Sequence, residues 1–194
     1  GRNRISACYF GEGTTAEGAF HESMNMAELW QLPVLFCCEN NGYAMGTSIE
    51  RELSDVDLSV LAQSYRIPAA RADGMDVLAC QEAMAQAVAH VRGGGGPFFL
   101  EFRTYRFRPH SMFDPELYRD KAEVAMWKER DPIPAFTARC RSEGTLSAED
   151  VAAIEKTVAA EVADAVAYAE AGTLESVETL TRDVITPTAA EPVS

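Results

Sequence analysis

Positive charge is scarce in this chain. Its 17 Lys and Arg residues face 30 Asp and Glu, a formal net charge of −13. A surface so biased repels phosphate backbones and anionic bilayers, so neither nucleic acid nor membrane is an expected partner, although one locally positive pocket remains compatible with it. Long apolar runs are lacking too: none approaches the roughly 20 residues that a bilayer-spanning helix needs. No signal-like start is visible, and a cytoplasmic protein is the expectation. Cysteine is sparse and poorly spaced for crosslinking or metal work. Cys8, Cys37, Cys38, Cys80 and Cys140 form an odd, scattered set without a Cys-x-x-Cys pair, against both a disulfide framework and a zinc site. Cys8, Cys37 and Cys38 lie in apolar runs, where the thiol behaves as a small hydrophobe. There is no internal repeat and no low-complexity tract. An initiator methionine is absent as well: the chain opens at Gly1 and reads as a buried strand by residue 5, which predicts an upstream segment.

What is present is a globular composition, 47% hydrophobic and 24% charged over 194 residues, enough for one domain of ordinary size. "ISACYF" (5–10) reads as a short buried strand stopped by Gly11. Thr14 and Glu17 then fit a capping box. The helix after them should run to about Gln31 and bury Phe20, Met24, Ala27 and either Leu29 or Trp30. "LPVLFCCEN" (32–40) is the next buried strand, ended by Asn40-Asn41-Gly42. A short helix over 55–65 and a weak strand over 67–71 follow. A helix from about Asp76 to Val91 comes next, with Val77, Cys80, Met84, Ala87 and Val91 on one face and four glycines at its end. "PFFLEFRTYRF" (97–107) is the clearest strand. Helices are expected over 120–130, 132–142 and 147–171, the last capped by Ser147 and Asp150, with an edge strand from Glu175 and a disordered "PTAAEPVS" tail.

Strands alternating with helices predict an α/β fold: a mainly parallel sheet flanked by helices on both faces, with a helical C-terminal extension. Residues 1–130 are expected to carry the α/β part and 131–194 the extension. Ligands of such sheets gather at the carboxyl ends of the strands. The Gly11 turn, the Asn40-Asn41 turn and the segment after Arg106 all follow strand ends, so they should converge. There Gly11 and Gly13 let backbone amides approach a ligand, and the following helix offers its N-terminal N–H groups to an anion. Glu12 and Asn41 supply hard oxygens, and a carbonyl in the Gly42-Tyr43 turn could add a third. One carboxylate, one amide and one carbonyl are an incomplete set for Mg2+ or Ca2+, which phosphate oxygens and water would complete. A diphosphate bound through a divalent ion suits that arrangement. Either motif alone is also compatible with an ordinary turn.

Gly11-Glu12-Gly13, a 26-residue interval and then Asn40-Asn41 resemble the thiamine diphosphate-binding signature. "FHESMNMAELWQLPVLFCCENNGYAMGTS" and "FRTYRFRPHSMFDPELYRDKAEVAMWKERDPI" resemble the α subunit of the E1 component of 2-oxo acid dehydrogenase complexes, in particular its C-terminal portion in the pyruvate branch. The resemblance implies a thiamine diphosphate-binding fold with Mg2+ held by Glu12, Asn41 and the Tyr43 carbonyl. It implies amides at Gly13 and Thr14 facing the diphosphate. His110 would reach the cofactor and act in transfer to the lipoyl group, on a loop where Ser111, Asp114, Tyr118 and Arg119 are structural. The implied assembly is an α2β2 heterotetramer with an E1 β subunit, feeding a lipoyl-bearing E2 acyltransferase. The implied reaction is oxidative decarboxylation of a small-molecule 2-oxo acid, pyruvate by the likeness of "ENNGYAMGTS", with acetoin and branched-chain 2-oxo acids as alternatives.

Three departures stand out. Glu12 replaces the family's usual Asp, moving the carboxylate outward at a site where Mg2+ demands near-octahedral geometry at about 2.0–2.1 Å. Pro109 stiffens the segment before His110. The long segment that precedes the Gly-x-Gly turn in the family lies outside this sequence, so full activity would need it together with the β subunit. A non-catalytic binding or scaffold module is the alternative that the first and third departures motivate. Arg103, Arg106 and Arg108 either attract the diphosphate or a substrate carboxylate, or pair with surface acids. His21 and His90 are expected to be ordinary helix residues.

Overall fold

The computed structural model describes residues 4–182 and residue 184. Two compact units divide the chain, Gly1–Cys140 and Arg141–Ser194. In the first, four parallel strands form one sheet in the order β1 (Ser6–Gly11), β2 (Val34–Asn40), β6 (Phe98–Arg103), β5 (Ala69–Asp73). Helices α1 (Gly18–Leu29), α3 (Leu58–Ser64) and α4 (Val77–Arg92) flank it, as the α/β reading expects. Alternation along the strands divides the core in two. Phe36, Cys38 and Phe99 pack with Phe20, Met24 and Ala27 of α1 and Leu58 and Ala62 of α3. Leu35, Cys37, Leu100 and Phe102 pack with Ala87 and Val91 of α4 on the opposite face. Each large side chain buried this way contributes about 1.5–3 kcal/mol.

The departures from the sequence expectations have local causes. β1 is the edge strand and is largely exposed, Tyr9 at 58%, because it is paired only with β2 among the described residues. Leu29 and Trp30 are both exposed, at the end of α1, whose core contacts are made by Phe20, Met24 and Ala27. Val77 is exposed too, in the first turn of α4. Thr14 does not cap α1. Residues Glu12–Ala16 tighten into a 3-10 turn, and Glu17, in extended backbone, is the N-cap without a side-chain bond. β6 stops at Arg103 rather than 107, since its partners end at Asn40 and Asp73 and leave no ladder to continue. A two-stranded hairpin, β3 (Tyr43–Ala44) and β4 (Thr47–Ser48), and the one-turn helix α2 (Ile49–Glu52) follow the Asn-Asn turn.

α5 (Lys121–Lys128) and α6 (Pro132–Ser142) come after the loop. In the second unit, α7 (Ala148–Ala171) is capped by a reciprocal Ser147–Asp150 box. Glu175 onward forms no strand among the described residues. Val177–Thr179 is a 3-10 turn, where the Glu178 amide donates to Ser176 Oγ at 3.3 Å. The "PTAAEPVS" tail lies outside the described residues. No helix among the described residues is long and apolar enough to cross a membrane.

Candidate functional site

The register sets the carboxyl ends of the strands level: Gly11 opposite Glu39, Asn40 opposite Arg103, and Asp73 opposite Arg103. The turns leaving β1 and β2 are thereby side by side. Across them the Asn41 backbone N–H donates to Glu12 Oε2 at 3.1 Å. Glu12 is 1% exposed, and its other oxygen, Oε1, is buried without any hydrogen-bond partner. A carboxylate oxygen removed from water and left bare is costly, so the position asks for a cation or a donor. Thr15 Oγ1 donates to the Glu12 carbonyl at 2.6 Å and holds the 3-10 turn.

The second turn is tied equally closely. Asn40 is buried; its amide nitrogen donates to Glu101 Oε1 at 2.7 Å and its oxygen accepts from the Gly42 N–H at 3.0 Å. Gly42 has φ +83°, a left-handed conformation that glycine adopts without strain. Asn41 Oδ1 accepts from the Tyr43 N–H at 3.3 Å and keeps a second lone pair. Gly13 packs directly under the hairpin: a Cβ built on it would lie 2.7 Å from the Cβ of Ala44. At Gly11, by contrast, a Cβ would meet nothing within 4 Å, so packing within the chain leaves that residue free.

A cavity of about 450 Å3 opens over these turns. Glu12, Gly13, Thr14, Asn41, Tyr43 and His110, each named from sequence, all line it, together with Arg106, Glu17 and Glu52. The expected convergence of three strand-end segments is what the structure has. His110 is exposed; its backbone N–H donates to Asp114 Oδ2 at 3.0 Å, and its imidazole makes no hydrogen bond among the described residues. Asp114 also accepts from Tyr118 OH at 2.7 Å and from the Glu116 N–H at 2.9 Å. These bonds, the Glu116 amide first and the Tyr118 hydroxyl next, hold its carboxyl below the usual range. Arg106 joins the loop to the hairpin, donating to the Met45 carbonyl at 2.6 Å and to Tyr118 OH at 3.0 Å. Arg119 is buried against Tyr105 and donates to the Arg106 carbonyl and to Glu116.

The other arginines are placed differently. Arg103 Nε pairs with Glu101 at 2.8 Å, and Arg108 is an exposed residue outside the cavity lining. His21 bonds Tyr65 OH through Nδ1 at 2.9 Å, and His90 packs on Phe98; neither lines the cavity. Cys37 and Cys38 are no nucleophiles, for burial pushes the Cys37 thiol up to about 11 and Cys38 upward as well. The Tyr43 hydroxyl donates to Glu123 at 2.9 Å and is pushed up to about 12 by burial and by that carboxylate.

Two contributors escaped the sequence reading. Glu101 is fully buried in β6, bonded by Asn40, by Arg103 and by Arg71 Nε at 2.9 Å. A carboxylate inside "PFFLEFR" was its signal, since unpaired buried Glu is rare. Glu52 carried no signal, being one acid among many.

The donors are hard oxygens: a carboxylate with a bare oxygen and a side-chain amide. Among the described residues no three His, Cys, Asp or Glu side chains converge as a self-sufficient metal site. A ligand that brings its own oxygens fits the donor set, and the close Gly13–Ala44 contact and open Gly11 leave it a cradle of main chain.

Residues 1–178 match the family described as Dehydrogenase E1 component. The chain belongs to the dehydrogenase E1 component family. Its relatives within that dehydrogenase E1 family include pyruvate dehydrogenase E1 component subunit alpha of Rhizobium meliloti, 43% identical over 186 residues, covering 95% of this chain and 53% of that protein. The Zymomonas mobilis subunit alpha is 42% identical over 181 residues, 93% of this chain and 51% of its own length. A mitochondrial type II subunit alpha of Ascaris suum is 39% identical over 194 residues, 99% and 49% respectively. The chain thus spans about half the length of the curated relatives it matches.

Proposed function

We propose that this chain is the cofactor-binding part of a 2-oxo acid dehydrogenase E1 α subunit, acting on pyruvate and passing the two-carbon unit to a lipoyl group on E2. The observation that carries the reading is the Glu12 carboxylate, buried with Oε1 unpartnered in the lining of a cavity that Asn41 and His110 also line. Family membership and the names of the relatives support the reaction class. In this reading Glu12, Asn41 and the Tyr43 carbonyl hold Mg2+, and Gly13 and Thr14 face the diphosphate. When bound, thiamine diphosphate supplies the nucleophilic carbon and the electron sink for decarboxylation. The chain's own tasks are to bind, orient and shield. Arg106, Tyr118 and Asp114 tie the His110 loop to the hairpin, which sets where that imidazole can take or give a proton during transfer to the lipoyl group.

Residues 1–130 then carry the site, and the helices after residue 130 form an extension. Assembly with a β subunit as an α2β2 heterotetramer belongs to the same proposal. The test is the full-length protein assembled with its β subunit and lipoyl acceptor, assayed on pyruvate, 3-methyl-2-oxobutanoate and acetoin with thiamine diphosphate and Mg2+. Turnover highest on pyruvate is expected. Preference for either other substrate overturns the substrate assignment. Intact assembly without cofactor binding overturns the enzyme and leaves a scaffold module.

A further inference from the structure

Glu52, in the one-turn helix α2 after the hairpin, lines the same cavity as Glu12. Its Oε2 is buried without a hydrogen-bond partner, and it forms no ion pair among the described residues. The carboxylate lies beside the turn itself, for Oε1 is 3.7 Å from where a Cβ on Gly13 would stand. Two carboxylates with bare buried oxygens therefore meet one cavity, and Glu12, 1% exposed, is the deeper. The exposed Glu17 adds a third negative charge to the lining. On the positive side, Arg106 is committed to the Met45 carbonyl, the Arg108 carbonyl and Tyr118 OH. His110 is the other basic residue of the lining. Such a cavity repels an anion that arrives alone and attracts a divalent cation first.

Resting on the Mg2+-diphosphate reading above, we propose that Glu52 is a second carboxylate of the cation site, which lets the cavity take up a divalent cation before any diphosphate arrives. The bare oxygens of Glu12 and Glu52 lower the stability of the cation-free protein and are compensated on loading. This also gives the longer Glu12 a setting: the ion is drawn by the charge of two carboxylates that line one cavity.

The experiment uses the full-length chain in its native assembly and Mn2+ alone as probe, read by the loss of the free-ion paramagnetic resonance signal. Parent, Glu52→Gln, Glu52→Asp and Glu12→Ala are compared, with melting curves with and without Mn2+. The expected result is Mn2+ uptake by the parent without diphosphate, weakened roughly tenfold or more in Glu52→Gln, partly kept in Glu52→Asp and lost in Glu12→Ala. Cation-free Glu52→Gln should melt no lower than the parent and gain less from Mn2+. Equal Mn2+ affinity of Glu52→Gln and parent, with loss in Glu12→Ala, overturns the role of Glu52 and leaves the cation site standing. Unchanged affinity in Glu12→Ala overturns the cation site itself. Parent binding that appears only with diphosphate, or tighter cation binding in Glu52→Gln, also overturns the proposal.

Discussion

Replacing Gly13 by alanine isolates one contact. The new Cβ would lie 2.7 Å from the Cβ of Ala44, about 1 Å inside the ~3.5–4.0 Å at which carbon atoms rest. The glycine has no left-handed φ to protect, so crowding alone is at stake. Both partners are main-chain-borne methyls, which cannot swing aside, and the hairpin or the 3-10 turn must move. Overpacking of this kind costs about 1–3 kcal/mol, a fall in melting temperature of about 2–4 °C per kcal/mol for a chain of this size. Ala44→Gly alone should cost about 0.5–1 kcal/mol as a glycine in a strand. Because it removes the atom that Gly13→Ala strikes, the double variant should recover most of the loss, with a coupling of about 1 kcal/mol or more. Urea unfolding of the four proteins in one buffer measures the cycle. Gly11→Ala is the control: with nothing within 4 Å, it should leave stability within about 0.5 kcal/mol. Additive losses in the double variant would refute the packing of the Glu12 turn against the hairpin.

Three further outcomes follow from particular contacts. Glu101→Ala should destabilise by about 1–3 kcal/mol in urea melts, chiefly by stranding the buried Asn40 amide, since Arg71 and Arg103 are 41% and 38% exposed and can rehydrate. Tyr43→Phe should lose about 1 kcal/mol with its bond to Glu123 yet keep cation affinity, because only its backbone is assigned to the ion; weakened Mn2+ binding would contradict that. Asp114→Asn should lower exchange protection of the His110 and Glu116 amides at neutral pH. Asp114's folded pKa is depressed below 3.8, so its support is full above that value and disappears as pH falls through the folded pKa, where parent and variant should converge.

Much of the frame was legible in the sequence. Spacing found Phe20, Met24 and Ala27 because a helix against a sheet must repeat its apolar contacts every three or four residues. The same rule overreached at Leu29 and Trp30, which stay exposed at the end of α1. Thr14 and Glu17 satisfied a capping pattern, but Thr15 bonding the Glu12 carbonyl makes the tighter turn there. The hairpin of Tyr43–Ala44 and Thr47–Ser48 is too short to carry a hydrophobic period. Of the cavity, the Gly-Glu-Gly and Asn-Asn turns could be placed together from topology, because strand ends align in a parallel sheet. Glu52 could not: its position depends on how the hairpin packs against Gly13, which no local pattern records.

Glu12 is proposed as the anionic anchor of a cation-dependent diphosphate site. Calorimetric titration of thiamine diphosphate into the native assembly, with Mg2+ and with the ion chelated, tests it in the parent, Glu12→Asp and Glu12→Ala. Binding should require Mg2+, persist in Glu12→Asp and vanish in Glu12→Ala. Equal affinity in all three proteins, or undiminished binding after chelation, would contradict it.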